Sequence, residues 1–140
     1  MKSRFTEKAE NVLKRAVTLA EELGHTYVGT EHLLLSIASE EGTYSGVILV
    51  KHKITSDILK KSIVEYSGLG TKSMLSARDT TPRCKKVIED ASLVAEKHGS
   101  VKIGTEHLLY ALLDERDSVA GRLATRCGAN LSAIKEDLIG

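Results

Sequence analysis

Two short segments hold the side chains best suited to chemistry. Gly29-Thr30-Glu31-His32-Leu33-Leu34 recurs as Gly104-Thr105-Glu106-His107-Leu108-Leu109, so a hydroxyl, a carboxylate and an imidazole stand together twice, 75 positions apart. The catalytic arrangements such residues serve lack their other parts. In each copy the His follows the Glu directly and has no second His at i+4, so neither is a zinc-protease helix. His25, His52 and His98 add no metal-ligand spacing. There is no Gly-x-Ser-x-Gly elbow, and neither Cys84 nor Cys127 has a His partner in sequence. Glu31 and Glu106 form a hydrolase-type carboxylate pair only if the two copies bring them together. The expectation is a binding protein with no catalytic residue, metal or cofactor.

Two binding roles suit the repeated motif. A Thr at a helix start caps orphan N–H groups, and a Glu in the first turn complements the helix dipole by roughly 0.3–1 kcal/mol. That structural role explains the motif without a ligand. The other role uses the same groups outward. Helix N-termini suit an anion such as phosphate, and a carboxylate beside them suits a guanidinium. Four helix N-termini are in play: Thr6 and Thr81 start the long helices, and Thr30 and Thr105 start those that hold Glu31 and Glu106. Both roles remain open at this level.

The elements that must position these residues come from a duplication. The 75-position offset also pairs Thr6 with Thr81, Val12 with Val87, Ala16 with Ala91 and Gly24 with Gly99, without a gap. Repeat one spans about 5–66, a Gly- and Ser-rich linker about 67–79, and repeat two about 80–140, within a single domain over 1–140. The linker reads as flexible; its Gly70-Thr71-Lys72-Ser73 lacks the Gly-Lys pair and the preceding strand of a phosphate loop.

Each repeat reads as four helices. Val12, Leu13, Ala16, Leu19, Ala20 and Leu23 recur at three- and four-residue spacing after Thr6 and before Gly24. Val87, Ile88, Ala91, Val94 and Ala95 repeat the stripe after Thr81-Pro82 and before Gly99. The second helices begin at Thr30 and Thr105. Shorter ones follow at about 45–51, 56–66, 119–127 and 131–139. The fold class is all-α, two four-helix repeats packed as a pseudo-twofold pair.

Bulk properties exclude other classes. Net charge is +1, so no strong field draws nucleic acid or an anionic membrane. The basic run Arg83-Cys84-Lys85-Lys86 shares its helix with Glu89, Asp90 and Glu96, which reads as a solvated face. The longest aliphatic run, Val47–Val50, is too short to span a bilayer, and the first residues form no signal peptide. Two isolated cysteines suit buried thiols in a reducing compartment. A cytoplasmic location is expected.

Phe5-Thr6-Glu7-Lys8-Ala9, Leu23-Gly24-His25 and Val28–Leu35 resemble the first Clp N-terminal repeat, and Thr81-Pro82-Arg83, Lys85–Ile88 and Ile103–Leu109 the second. The resemblance covers nearly the whole chain and is strongest to ClpC-type AAA+ unfoldases. It implies a domain that hydrolyses nothing itself. Such a domain precedes ATPase rings feeding a ClpP protease, and receives unfolded substrates, phosphoarginine-tagged proteins and MecA-like adaptors. It further implies that Glu31 and Glu106 meet the tag's guanidinium, with Thr6 and Thr81 near its phosphate. Lys102, four residues before Glu106, is expected to compete for that carboxylate. Asp114-Glu115-Arg116-Asp117 lacks the family's loop glycine, and Tyr44 replaces a smaller aliphatic residue. A stand-alone two-repeat protein that sequesters tagged proteins or adaptors is the alternative.

Overall fold

The structure, a computed structural model, describes residues 4–40 and 42–139. Repeat one contains α1 (Glu7–Glu22), α2 (Thr30–Ser39), α3 (Tyr44–Lys51) and α4 (Ser56–Ser67). Repeat two contains α5 (Pro82–Lys97), α6 (Thr105–Asp114), α7 (Val119–Arg126) and α8 (Leu131–Ile139). The expected all-α architecture is the observed one, and helix boundaries differ from expectation by a single residue at most.

The long helices begin and end as their sequences dictate. Thr6 Oγ1 accepts from the Ala9 N–H at 3.1 Å, and Thr81 Oγ1 accepts from the Cys84 N–H at 3.1 Å. Ala9, Val12, Ala16 and Ala20 form the buried face of α1; Cys84, Val87, Ala91 and Ala95 form that of α5. Both faces cover α2 and α6, which run through the middle. Every residue of α2 from Thr30 to Ala38 is buried, as expected for a helix apolar all round. Leu33, Leu34, Leu108, Leu109, Leu112 and Leu113 are each no more than 1% exposed and form the centre of the core.

The two repeats are joined by paired exchanges that obey the 75-position offset. Phe5 bridges Ile103, and Thr80 bridges Val28. The Thr6 N–H donates to Ile103 O and the Thr81 N–H to Val28 O, each at 2.9 Å. Deeper in, the Ala120 N–H donates to Thr30 Oγ1 at 3.1 Å, while Ser45 Oγ and Thr105 Oγ1 share a hydrogen bond of 3.0 Å. Residues 45 and 120 are themselves counterparts, so the pseudo-twofold relation reaches individual hydrogen bonds. These bonds correct one expectation. Thr30 and Thr105 do not cap their own helices; Gly29 and Gly104 occupy the cap positions, and the Thr hydroxyls reach across to the other repeat.

The linker differs from expectation as well. Its Gly70 N–H donates to Leu23 O at 2.9 Å, Ser73 Oγ to His25 O at 2.9 Å, and the Leu75 N–H to Glu21 Oε2 at 2.7 Å. Gly24 and Gly70 approach so closely that a Cβ on either meets the other's backbone. The segment is therefore strapped to the end of α1, because its glycines admit a contact no other residue fits. Val12 and Ala91 are 0% exposed. Val12→Asp or Ala91→Asp buries an unpaired charge and should cost at least roughly 3 kcal/mol; a cooperative melt at the wild-type temperature would show the helical register to be wrong.

Candidate functional site

Each Glu of the repeated motif sits at the second position of its helix, and its carboxylate folds back over the glycine cap. A Cβ on Gly29 would collide with Glu31 Oε1, and one on Gly104 with Glu106 Oε1. These glycines are required for room, since their backbones are ordinarily extended, with φ of −108° and −99°. The imidazole supplies the reciprocal half of a capping box, accepting the cap residue's own N–H. The Gly29 N–H donates to His32 Nδ1 at 2.8 Å, and the Gly104 N–H donates to His107 Nδ1 at 2.9 Å. This role, legible in principle as a polar residue three positions after the cap, is absent from the motif reading.

The histidine of repeat one continues into a relay. Because His32 Nδ1 accepts, its proton lies on Nε2 and is donated to His25 Nδ1 at 2.7 Å; His25 Nε2 then donates to Gly68 O at 2.8 Å. Burial, with the nearby His25 second, lowers the His32 pKa to about 4, so this ring is neutral at physiological pH. Among the described residues no three His, Cys, Asp or Glu side chains gather as a metal site requires.

Glu31 is 2% exposed. Tyr27 Oη donates to its Oε2 at 3.1 Å, and no lysine or arginine among the described residues pairs with it. Burial raises its carboxyl above the ordinary value of 4.5, against the opposing effect of hydrogen bonds from its own backbone N–H and from Tyr27. The carboxylate lines a cleft of about 360 Å³ with Thr81 and Arg83 at the start of α5, Asp117 and Ser118 at the start of α7, and Tyr66 from α4. Three helix N-termini therefore converge on one cleft that also holds a buried carboxylate and an arginine. Such a cleft suits a ligand carrying both an anion and a guanidinium.

The sequence-derived candidates separate into two groups across the repeats. Glu31 of repeat one shares its cleft with Thr81 of repeat two. Thr6 lies beside the Glu106 motif through its bond to Ile103. Glu31 and Glu106 open on different hollows and form no carboxylate pair. Lys102 does not pair with the Glu106 carboxylate, which lies 3.9 Å from His107 Nδ1. Tyr27, Tyr66 and Arg83 are site residues that sequence reasoning missed. Tyr27 stands four positions before Glu31, ahead of the start of α2, and Arg83 lies in a run read as solvated surface. The rest of that run behaves as expected, with Lys86 on Asp90 at 2.8 Å and Glu115 at 2.6 Å.

A profile of the Clp repeat (R) N-terminal domain matches residues 4–127. The chain belongs to this family. It is 35% identical over 139 residues to the negative regulator of genetic competence ClpC/MecB of Bacillus subtilis (strain 168), covering 99% of this chain and 17% of that protein. It is 36% identical over 135 residues to a ClpA homologue, an ATP-dependent Clp protease ATP-binding subunit, of Trieres chinensis, covering 96% and 15%. The Clp domain thus spans about a sixth of these relatives. Among solved structures, the N-terminal domain of the chaperone ClpD from Arabidopsis thaliana superposes with a TM-score of 0.82 at 25% identity, covering 97% of this chain and 92% of that one. The ClpV N-domain in complex with a VipB peptide shares the fold, with a TM-score of 0.72 at 17% identity and coverages of 95% and 83%. Among the described residues of this Clp domain, no single helix is long and apolar enough to cross a membrane.

The buried carboxylate has a consequence for stability. A Glu whose folded pKa is raised favours folding most below its unfolded pKa, and that contribution is lost as pH rises through the folded value. Glu31→Gln removes the group that must be deprotonated in a buried place. The melting temperature of Glu31→Gln relative to wild type should therefore rise from pH 4 to pH 7. A difference that falls over this range would place Glu31 in a stabilising ion pair instead.

Proposed function

We propose that this Clp domain receives substrates and adaptors for a ClpC-type ATP-dependent unfoldase feeding a ClpP protease, and that its Glu31–Thr81 cleft takes a phosphoarginine side chain. The observation that carries the reading is the buried Glu31 carboxylate without a cationic partner, in one cleft with the N-terminus of α5. A buried carboxylate left unpaired disfavours folding, so its presence is accounted for by a ligand that supplies the cation. A guanidinium offers two parallel N–H donors to it, and the attached phosphate reaches the helix starts and Arg83. Glu106 with Thr6 is the corresponding pair in repeat two. There Lys102 replaces Tyr27, and Lys8, the counterpart of Arg83, donates to Gly42 O at 3.3 Å. Repeat one is therefore the stronger phosphoarginine site.

Kinship with ClpC supports delivery of proteins to an unfoldase, and the ClpV N-domain shows that this fold accommodates a peptide. Adaptors of the MecA kind are proposed partners on the same grounds. No step of chemistry is assigned to the domain itself.

Calorimetric titration of phosphoarginine tests the proposal. Wild type should bind saturably, and Glu31→Ala should weaken the tighter site at least about tenfold, the worth of one charge-assisted pair. The Glu31→Ala, Glu106→Ala double variant, still folded by circular dichroism, should not bind. Unchanged affinity in Glu31→Ala, or equal affinity for arginine without phosphate, contradicts it. Gly29→Ala, which displaces the carboxylate by adding a Cβ, should weaken binding in the same direction; wild-type affinity there would remove the carboxylate from the contact.

A further inference from the structure

The pseudo-twofold relation leaves one arginine without the partner its counterpart has. Where α3 meets α8, Lys51 Nζ and His52 Nε2 lie 3.3 and 2.6 Å from Asp137 Oδ2. The 75-position offset turns Lys51 into Arg126, His52 into Cys127 and Asp137 into Ser62. The equivalent contact of α7 with α4 is accordingly uncharged, Ser62 Oγ meeting Cys127 Sγ at 3.1 Å. Lys51 and Arg126 hold the same place, the last turn of their helices. Lys51 has a carboxylate there. Arg126 is exposed and pairs with none among the described residues.

Beside Arg126 is a hollow of about 200 Å³, lined by Ser62, Glu65 and Tyr66 of α4 and by Leu123 and Arg126 of α7. Tyr66 also lines the Glu31 cleft, so the two spaces adjoin across one half-exposed ring. Helix α7 joins them a second time, with Val119 in the cleft and Leu123 and Arg126 in the hollow. From Val119 to Arg126 the helix runs 8 residues, about 11 Å of axis, which extended chain covers in roughly three residues.

A phosphoarginine held in the cleft belongs to a polypeptide whose next residues pass over the surrounding surface. An unpaired guanidinium at that distance suits a carboxylate, to which it offers two parallel N–H donors. Glu65 on the same rim opposes a second carboxylate and limits the gain. We infer that the hollow between α4 and α7 receives an acidic side chain roughly three positions from the tag in the same polypeptide, with Arg126 on its carboxylate. Arg126 then gives repeat one a preference for the sequence around the tag, which recognition of a single side chain lacks. In repeat two the corresponding place is taken by Asp137 itself, so the preference belongs to repeat one alone. The inference rests on the tag reading of the Glu31 cleft and adds a specificity-determining residue outside that cleft.

Calorimetric titration of the Glu106→Ala domain, in which only repeat one reports, tests the inference with tagged peptides. Each peptide is built of Ala and Gly around one phosphoarginine, with Glu or Gln at that spacing before or after it. In at least one order the Glu peptide should bind about threefold more tightly than its Gln counterpart, the worth of one exposed ion pair. Arg126→Gln should abolish that difference and leave the affinity for free phosphoarginine unchanged. Glu65→Gln should widen the difference, and added salt should narrow it. Equal affinities for Glu and Gln peptides in both orders overturn the inference alone, as does a difference that survives in Arg126→Gln. A Glu106→Ala domain that binds neither free phosphoarginine nor any tagged peptide overturns the tag reading of the cleft, and this inference with it.

Discussion

The chain before each long helix pairs with the chain before the other repeat's second helix, and the site is assembled by that exchange. Val28 holds Thr80, which places the start of α5 beside Glu31; Phe5 holds Ile103, which places the start of α1 beside the Glu106 motif. Neither repeat alone contains a complete cleft. The same exchange sends the Thr30 hydroxyl to α7 and the Thr105 hydroxyl to α3, so the buried polar groups of the central helices are satisfied only when both copies are docked. Folding of the core and formation of the site are thus one event, since an unpaired hydroxyl at either helix start would carry the cost of a buried polar group.

Within that frame the electrostatics turn on where the Glu is placed. At the second position of a helix a carboxylate gains from the dipole and from backbone N–H groups, yet in repeat one it is also sealed under Tyr27 and loses hydration. The glycine cap allows it to lie close over the helix start, and the imidazole three positions after the cap accepts the cap residue's own N–H, the part a Glu or Gln plays in a capping box. This division of labour leaves the carboxylate available to a ligand. Repeat two keeps the carboxylate, the glycine and the imidazole but loses the covering rings, so the same backbone geometry presents a half-exposed acid beside an aromatic hollow. Duplication preserved the scaffold while the cover diverged.

Much of the fold was legible because it is local. Thr6 and Thr81 as caps, Gly24 and Gly99 as terminators, and the stripes of α1 and α5 follow from spacing within one turn or two, and the offset of 75 supplied the two-repeat organisation. What could not be read from spacing lies in contacts between copies. The roles of Thr30 and Thr105, the strapped linker and the membership of Arg83 and Tyr66 in the repeat-one cleft each depend on segments 35 or more positions apart meeting in space. Lys102 was a local inference that failed for a physical reason: its side chain is exposed, and hydration competes with a half-exposed carboxylate. Tyr27 stands four positions before Glu31 in non-helical chain, and only its hydrogen bond to that carboxylate in the folded chain distinguishes it from any surface tyrosine.

The central claim is that Glu31 is a buried carboxylate held for a cationic ligand, and its own titration tests this most directly. The ¹³C resonance of the Glu31 carboxyl, followed across pH with and without phosphoarginine, should show a midpoint above the ordinary carboxylate value in the free domain and a fall when the ligand saturates it. An ordinary midpoint in the free domain, or one that the ligand leaves unmoved, would contradict the account and leave Glu31 as part of the helix start alone.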